Sequence, residues 1–294
     1  MPHLRALGHD VLALSRRTGP GLIAIGSCTP ATDFTPLLAG ADAIVHLMAR
    51  VHAPASAPEL YDTDNVEVPL ALARAAAAAG VNRFVFVSSV KVMGDISPSA
   101  GFVETDTPQP ADAYGRSKLA AERGLRALAR ETGLELVTLR PPLIHGPGAR
   151  ANLAALLGLV RSGWPLPFGA IDNRRSLIGL DNFVDLIGLT LIHPSAPGQV
   201  FFASDRDPVS TPELIRRIAH ADGRPARLLP VPPTLIRAGL SALGRRGLAD
   251  RLLGTLAVDE SHLARTLGWT PRLGLDEGLL RFVRGEPPPN RTKG

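Results

Sequence analysis

A single cysteine, Cys28, stands in 294 residues. It excludes an internal disulfide and any cysteine-based metal cluster. Aromatic residues make up only 4%, so a core has to be built from Leu, Val, Ile and Ala. No apolar run reaches the roughly 18 residues of a membrane helix, and residues 1–17 lack the apolar centre of a signal peptide. A cytoplasmic protein with no membrane span is the expectation. Lysine is nearly absent, with Lys91, Lys118 and Lys293 against 29 arginines. The net charge of +5 suits an anionic ligand. The arginines are dispersed, however, with no block of like charges, and nucleic-acid binding is not expected. The length allows one large α/β domain plus a smaller lobe.

What is present begins with Ala113-Tyr114-Gly115-Arg116-Ser117-Lys118. Tyr114 and Lys118 are four residues apart in a predicted helix, which sets both side chains on one face. An ammonium held there is expected to favour the phenolate and lower the tyrosine pKa, as proton exchange with a substrate hydroxyl near neutral pH requires. Random placement of so few tyrosines and lysines yields only about 0.02 such pairs per chain. Upstream, Arg83-Phe84-Val85-Phe86-Val87 reads as a buried parallel strand, and Ser89 follows its end. Open α/β sheets carry ligands at the carboxyl ends of their strands.

Ser89, Tyr114 and Lys118 together resemble the catalytic triad of the extended short-chain dehydrogenase/reductases, and within them the NAD-dependent epimerase/dehydratase family. The similarity runs from about Leu4 to Phe282. It implies a doubly wound parallel (Rossmann-type) α/β sheet with a smaller C-terminal substrate lobe. The dinucleotide-binding domain is expected over residues 1–148, with a returning strand and helix near 181–205. The lobe is expected over 149–180 and 206–284, and residues 285–294 have the composition of a disordered tail.

The N-terminus departs from this pattern. Pro2 to Gly8 reads as the end of a helix and His9 to Leu14 as a strand, yet no glycine-rich turn of the dinucleotide-binding form follows any strand. The family's first strand and its turn are expected to be missing, about 20 residues by the usual length of that unit. Strand His9–Leu14 would then lack its neighbour, a hazardous edge. Arg16, after that strand, suits a 2′-phosphate where an acidic residue would suit a free hydroxyl. The cofactor is therefore NAD or NADP, with NADP favoured.

By the same resemblance, Leu47, Met48 and Ala49 lie against the cofactor at the end of the strand Asp42–His46. Asn65, Pro141 and Leu143 approach the nicotinamide, as do Tyr114 and Lys118 themselves. His46 reads as a satisfied core residue, and Asn65 also suits the N-cap of an Ala-rich helix over 66–79. The resemblance makes Asn152, Phe168 and Arg175 substrate contacts. Arg175 has the guanidinium geometry for a diphosphate, and Arg251 is a second candidate for that task. Lys91 either contacts substrate or is simply exposed. No metal site is expected.

Leu143, Lys91 and Met93 stand where epimerases of the family often carry Asn, Thr and Tyr. These departures place a 4-keto-sugar reductase or dehydrogenase ahead of a 4-epimerase, acting at a sugar carbon of a UDP- or similar nucleotide sugar. A catalytically silent nucleotide-sugar-binding module and a steroid- or flavonoid-type alcohol dehydrogenase remain alternatives. A homodimer is implied by resemblance, through the helices near 69–79 and 118–130.

Overall fold

The computed structural model describes residues 2–54, 56–149, 152–244 and 246–285. The strands are β1 (Leu14–Ser15), β2 (Ile23–Ala24), β3 (Ala43–His46), β4 (Arg83–Val87), β5 (Glu135–Arg140), β6 (Leu143–His145), β7 (Leu177–Gly179) and β8 (Val200–Phe202). The main sheet is parallel throughout, in the order β3-β4-β5-β8. Its register pairs Ile44 with Phe84, Val85 with Val137, and Leu139 with Phe201. These strands are apolar at consecutive positions because both faces are covered. Phe84 and Phe86 pack with Leu72, Ala73 and Leu125 from the helices Val68–Ala78 and Ala113–Thr132. Val85, Val137 and Leu139 pack on the other face with Phe183 and Leu186 of the helix Leu180–Ile192, and with Trp269.

The helix Ala113–Thr132 carries both of its boundary signals. Asp112 caps its start, Oδ1 accepting from the Gly115 amide at 2.7 Å, and Gly133 ends it in the left-handed region at φ 77°. Gly124 faces Leu70 and leaves room for it, so the two helices of this face lie close. The helix expected over 66–79 opens differently. A π-helical turn, Thr63–Glu67, runs into Val68–Ala78. Pro69 has no amide to give and its ring crowds the preceding turn, and a wider turn relieves both. Further on, Ser210 caps the helix Thr211–Ala221, its side chain accepting from the Glu213 amide.

The smaller lobe has its own core, in which the helices Asn152–Ser162, Thr211–Ala221 and Leu275–Arg284 contribute Leu153, Leu157, Ile215, Ile218, Leu279 and Phe282. β6 and β7 form a parallel pair of their own, and His145 at the end of β6 lies 3.1 Å from Asp205. Asp205 also accepts from the Gly179 amide and from Asn182, the latter reaching on to Leu273. This buried network ties the lobe to the sheet. The tail expected over 285–294 lies, beyond Gly285, outside the described residues.

The N-terminal expectation needs correction. Residues 9–13 form no strand, and the extended stretch shrinks to β1, which pairs with β2 and not with the main sheet. The outer edge of β3 pairs with no strand among the described residues. The opening helix Pro2–Ala6 docks elsewhere, on the helix Leu180–Ile192. Gly188 leaves space there for Leu4 and Leu7, and His3 lies 3.4 Å from Asp185. Among the described residues no helix is long and apolar enough to cross a membrane.

Candidate active site

Ser89 leaves the end of β4 in extended conformation and caps a short 3-10 turn, Val90–Val92, its hydroxyl accepting from the Lys91 amide at 3.2 Å. Tyr114 is the second residue of the helix Ala113–Thr132, and the Ser89 side chain is near enough to its phenol to lower its pKa. One turn further, Lys118 is 1% exposed. Its Nζ donates to the Val87 carbonyl at 2.6 Å and lies 4.0 Å from the centroid of the Phe86 ring. The next turn brings Glu122, 3% exposed, which takes both arms of the Arg140 guanidinium at 3.0 and 2.6 Å. Arg140 also donates to the sulfur of Met93 at 3.2 Å. The Glu122–Arg140 pair was not foreseen; only its continuation of the four-residue spacing from Lys118 could have pointed to it.

The electrostatics differ from expectation. Burial pushes the Tyr114 phenol above its ordinary value; the Ser89 side chain draws it down, and the Asp112 carboxylate pushes it up. Lys118 is held by a backbone carbonyl and a ring. Its own pKa falls to about 7 because burial penalises the ammonium, against the opposing charge of Glu122. A group of that kind exchanges its proton near neutrality.

Asn65 does not cap a helix. It is buried in the π-helical turn, with Oδ1 accepting from the Arg50 amide at 2.7 Å and Nδ2 donating to the Arg50 carbonyl and to Ser117 Oγ, both at 2.9 Å. Ser117 in turn donates to the Tyr114 carbonyl at 2.8 Å. The side chain therefore clips the loop after β3 to the first turn of the catalytic helix. In that loop Leu47 is 62% exposed, Ala49 half-buried, and Met48 packed against the core of the sheet. His46 is a second correction. It is 3% exposed and stacked on Phe84 and Phe86, yet neither ring nitrogen has a hydrogen-bond partner among the described residues.

The remaining candidates divide. The Pro141 carbonyl accepts from Val90, and Leu143 pairs with Leu177 at the root of the lobe. Arg175 Nη1 donates to the carbonyls of Arg251 and Gly254 at 2.7 and 3.1 Å, and Asp95 lies within its electrostatic reach. Arg251 itself is exposed and turns its Nε to Gly247. The Lys91 ammonium pairs with Asp95 and lies 3.1 Å from Asp112. Asn152 is exposed at the start of its helix, and Phe168 packs into the lobe's own core. Arg16 is exposed on the loop after β1. A cleft of about 940 Å³ opens at the far end of the same catalytic helix, lined by Arg126, Arg130, Gln199, His262 and Arg265. It touches none of Ser89, Tyr114 and Lys118. Among the described residues no group of three or more His, Cys, Asp and Glu is placed to hold a metal.

The donor set fits one half of a dinucleotide. Lys118 Nζ makes one hydrogen bond of its possible three, leaving N–H groups that could hold a ribose diol. For the pyrophosphate half, no glycine-rich turn leads from a strand into a helix among the described residues.

The family model described as NAD dependent epimerase/dehydratase family matches residues 1–202. A UDP-glucose 4-epimerase from Vibrio cholerae is 42% identical over 269 residues, covering 90% of this chain and 82% of that protein. Among solved structures, MoeE5 in complex with UDP-glucose and NAD is similar at 26% identity and TM-score 0.76, covering 96% of this chain and 92% of that one. UDP-N-acetylglucosamine 4-epimerase from Bacillus cereus shares the fold at 19% identity and TM-score 0.78, covering 96% and 92%.

Proposed function

The chain belongs to the NAD-dependent epimerase/dehydratase family, and from that membership we propose that it inverts the C4 hydroxyl of a UDP-sugar, with NAD as its resident cofactor. The observation that carries this reading is the placement of Ser89 just past the end of β4, with Tyr114 at the start of the helix Ala113–Thr132 and Lys118 buried one turn behind it on the Val87 carbonyl. The relative at 42% identity bears the name of a 4-epimerase. It supports inversion over net reduction, the reverse of the order suggested by Leu143, Lys91 and Met93.

The nicotinamide supplies hydride acceptance and return at the sugar carbon. Everything else falls to side chains of this chain. As phenolate, Tyr114 takes the proton from the C4 hydroxyl, and as phenol it gives the proton back. Ser89 holds the same oxygen by a hydrogen bond. Lys118 directs its free N–H groups to the ribose, and Asn65 keeps the neighbouring loop in register with the helix. Inversion requires the sugar to present its other face while the diphosphate stays anchored. Arg175 suits that anchor, because Nε and Nη2 make no hydrogen bond to the described residues. Recognition of NADP through Arg16 is the alternative cofactor reading.

The test is incubation with UDP-glucose, following UDP-galactose by chromatography and the reduced cofactor by absorbance. Epimerisation gives an equilibrium mixture with no net change in reduced cofactor. A dehydrogenase instead reduces added NAD or NADP in proportion to the 4-keto sugar it forms from UDP-glucose, and that result would overturn the proposal. Tyr114→Phe is expected to lower kcat by about 100-fold or more while UDP-glucose still protects the fold against heat.

A further inference from the structure

Lys91 touches the catalytic machinery at three atoms. Its amide donates to Ser89 Oγ at 3.2 Å. Its carbonyl abuts Gly115 so closely that a methyl group on that glycine would overlap it. Its ammonium lies 3.1 Å from Asp112, which caps the catalytic helix through the Gly115 amide at 2.7 Å, and it pairs also with Asp95. Tyr114 sits between the cap and the glycine. The lysine is therefore engaged on both sides of the phenol's attachment point, in a chain that otherwise writes almost every cation as arginine.

We propose that Lys91 is a positioning residue for Tyr114: through Asp112 it fixes the first turn of the catalytic helix and balances the carboxylate that caps it. The proposal deepens the reading of Tyr114 as proton carrier and rests on it. The charges around the phenol come from three elements. Asp112 and Lys118 belong to its own helix segment. Lys91 comes from the turn after β4, and Asp95, which faces both Lys91 and Arg175, follows that turn. Asp112 already pushes Tyr114 upward. With Lys91 uncharged, Asp112 keeps the Gly115 amide but has no ion-pair partner among the described residues, and the phenolate becomes harder to form.

The chain holds two tyrosines, so protein labelled with ¹³C at tyrosine Cζ gives two resonances, and Tyr61→Phe assigns them. The titration midpoint of Tyr114 is expected to rise by about one pH unit in Lys91→Gln and to stay near the parent value in Lys91→Arg. Adding Asp112→Asn to Lys91→Gln removes the uncompensated charge while asparagine still caps the helix, and the midpoint is expected to return. Asp112→Asn alone, which keeps Lys91, is expected to lower it, and this variant decides the matter should Lys91→Gln fail to fold. An unmoved midpoint in Lys91→Gln, or a double variant that stays displaced, overturns the proposal. The readout needs no turnover, so a protein without epimerase activity that shows these shifts would refute the proposed reaction and leave the role of Lys91 standing.

Discussion

Burying an imidazole without hydrogen-bond partners favours its neutral form, and His46 shows the consequence. Its pKa falls from 6.5 to about 3, first through burial and then through the charge of Lys118. Between those two values the unfolded chain binds a proton that the folded chain refuses. Stability conferred by the neutral ring is complete above pH 6.5 and is lost as the pH falls toward 3. Denaturation midpoints in guanidinium are therefore expected to decline as the protein is acidified through this window, and His46→Phe should flatten the decline. Equal pH slopes for parent and variant would show that other groups carry the acid sensitivity. The position was legible as a strand end, but its isolation was not, because Phe84 and Phe86 come from a different strand.

The helix Ala113–Thr132 is the element in which sequence pattern and geometry agree most fully. Tyr114, Lys118 and Glu122 follow one another at four-residue intervals along a single face. Gly115 is the exception to ordinary helix rules. Glycine to alanine within a helix normally gains about 1 kcal/mol, yet here the added methyl meets the Lys91 carbonyl, and overpacking typically costs about 1–3 kcal/mol. The second effect wins. Gly115→Ala is expected to lower the melting temperature and to reduce kcat by about 100-fold, as misplacement of a reacting group by an ångström can do. A variant with parental kcat would show that the first turn tolerates displacement. Asn65 was misread for a related reason: the π-helical turn before Pro69 moves the residue inside the helix, and its partners Arg50 and Ser117 lie on other segments.

At the scale of the molecule, the strands are not equally held. β4 is flanked by β3 and β5 and buried on both faces, whereas β1 and β2 form a separate two-residue pair with Ile23 and Ala24 exposed. Amides of Phe84, Val85 and Phe86 are expected to exchange with deuterium only on global unfolding. Those of Ile23 and Ile25, bonded to Ala13 and Ser15, should exchange by local opening and orders of magnitude faster. Equal protection would place the N-terminal pair in the same cooperative unit as the sheet. The lobe is fastened by the buried His145–Asp205–Asn182 network, whose members are far apart in the chain.

The sequence by itself determined the fold class, the strand Arg83–Val87 to the residue, and the placement of Ser89 at its end with Tyr114 and Lys118 one turn apart on a helix. Each of these rests on local information: apolar runs, helix spacing, or the place of a residue at a strand end. Only the tertiary structure decided which charges meet. Lys91 found two carboxylates, Arg175 found two backbone carbonyls, and Lys118 found the Val87 carbonyl and the Phe86 ring. Desolvation and pairing depend on neighbours brought from distant segments, and no spacing within one segment encodes them.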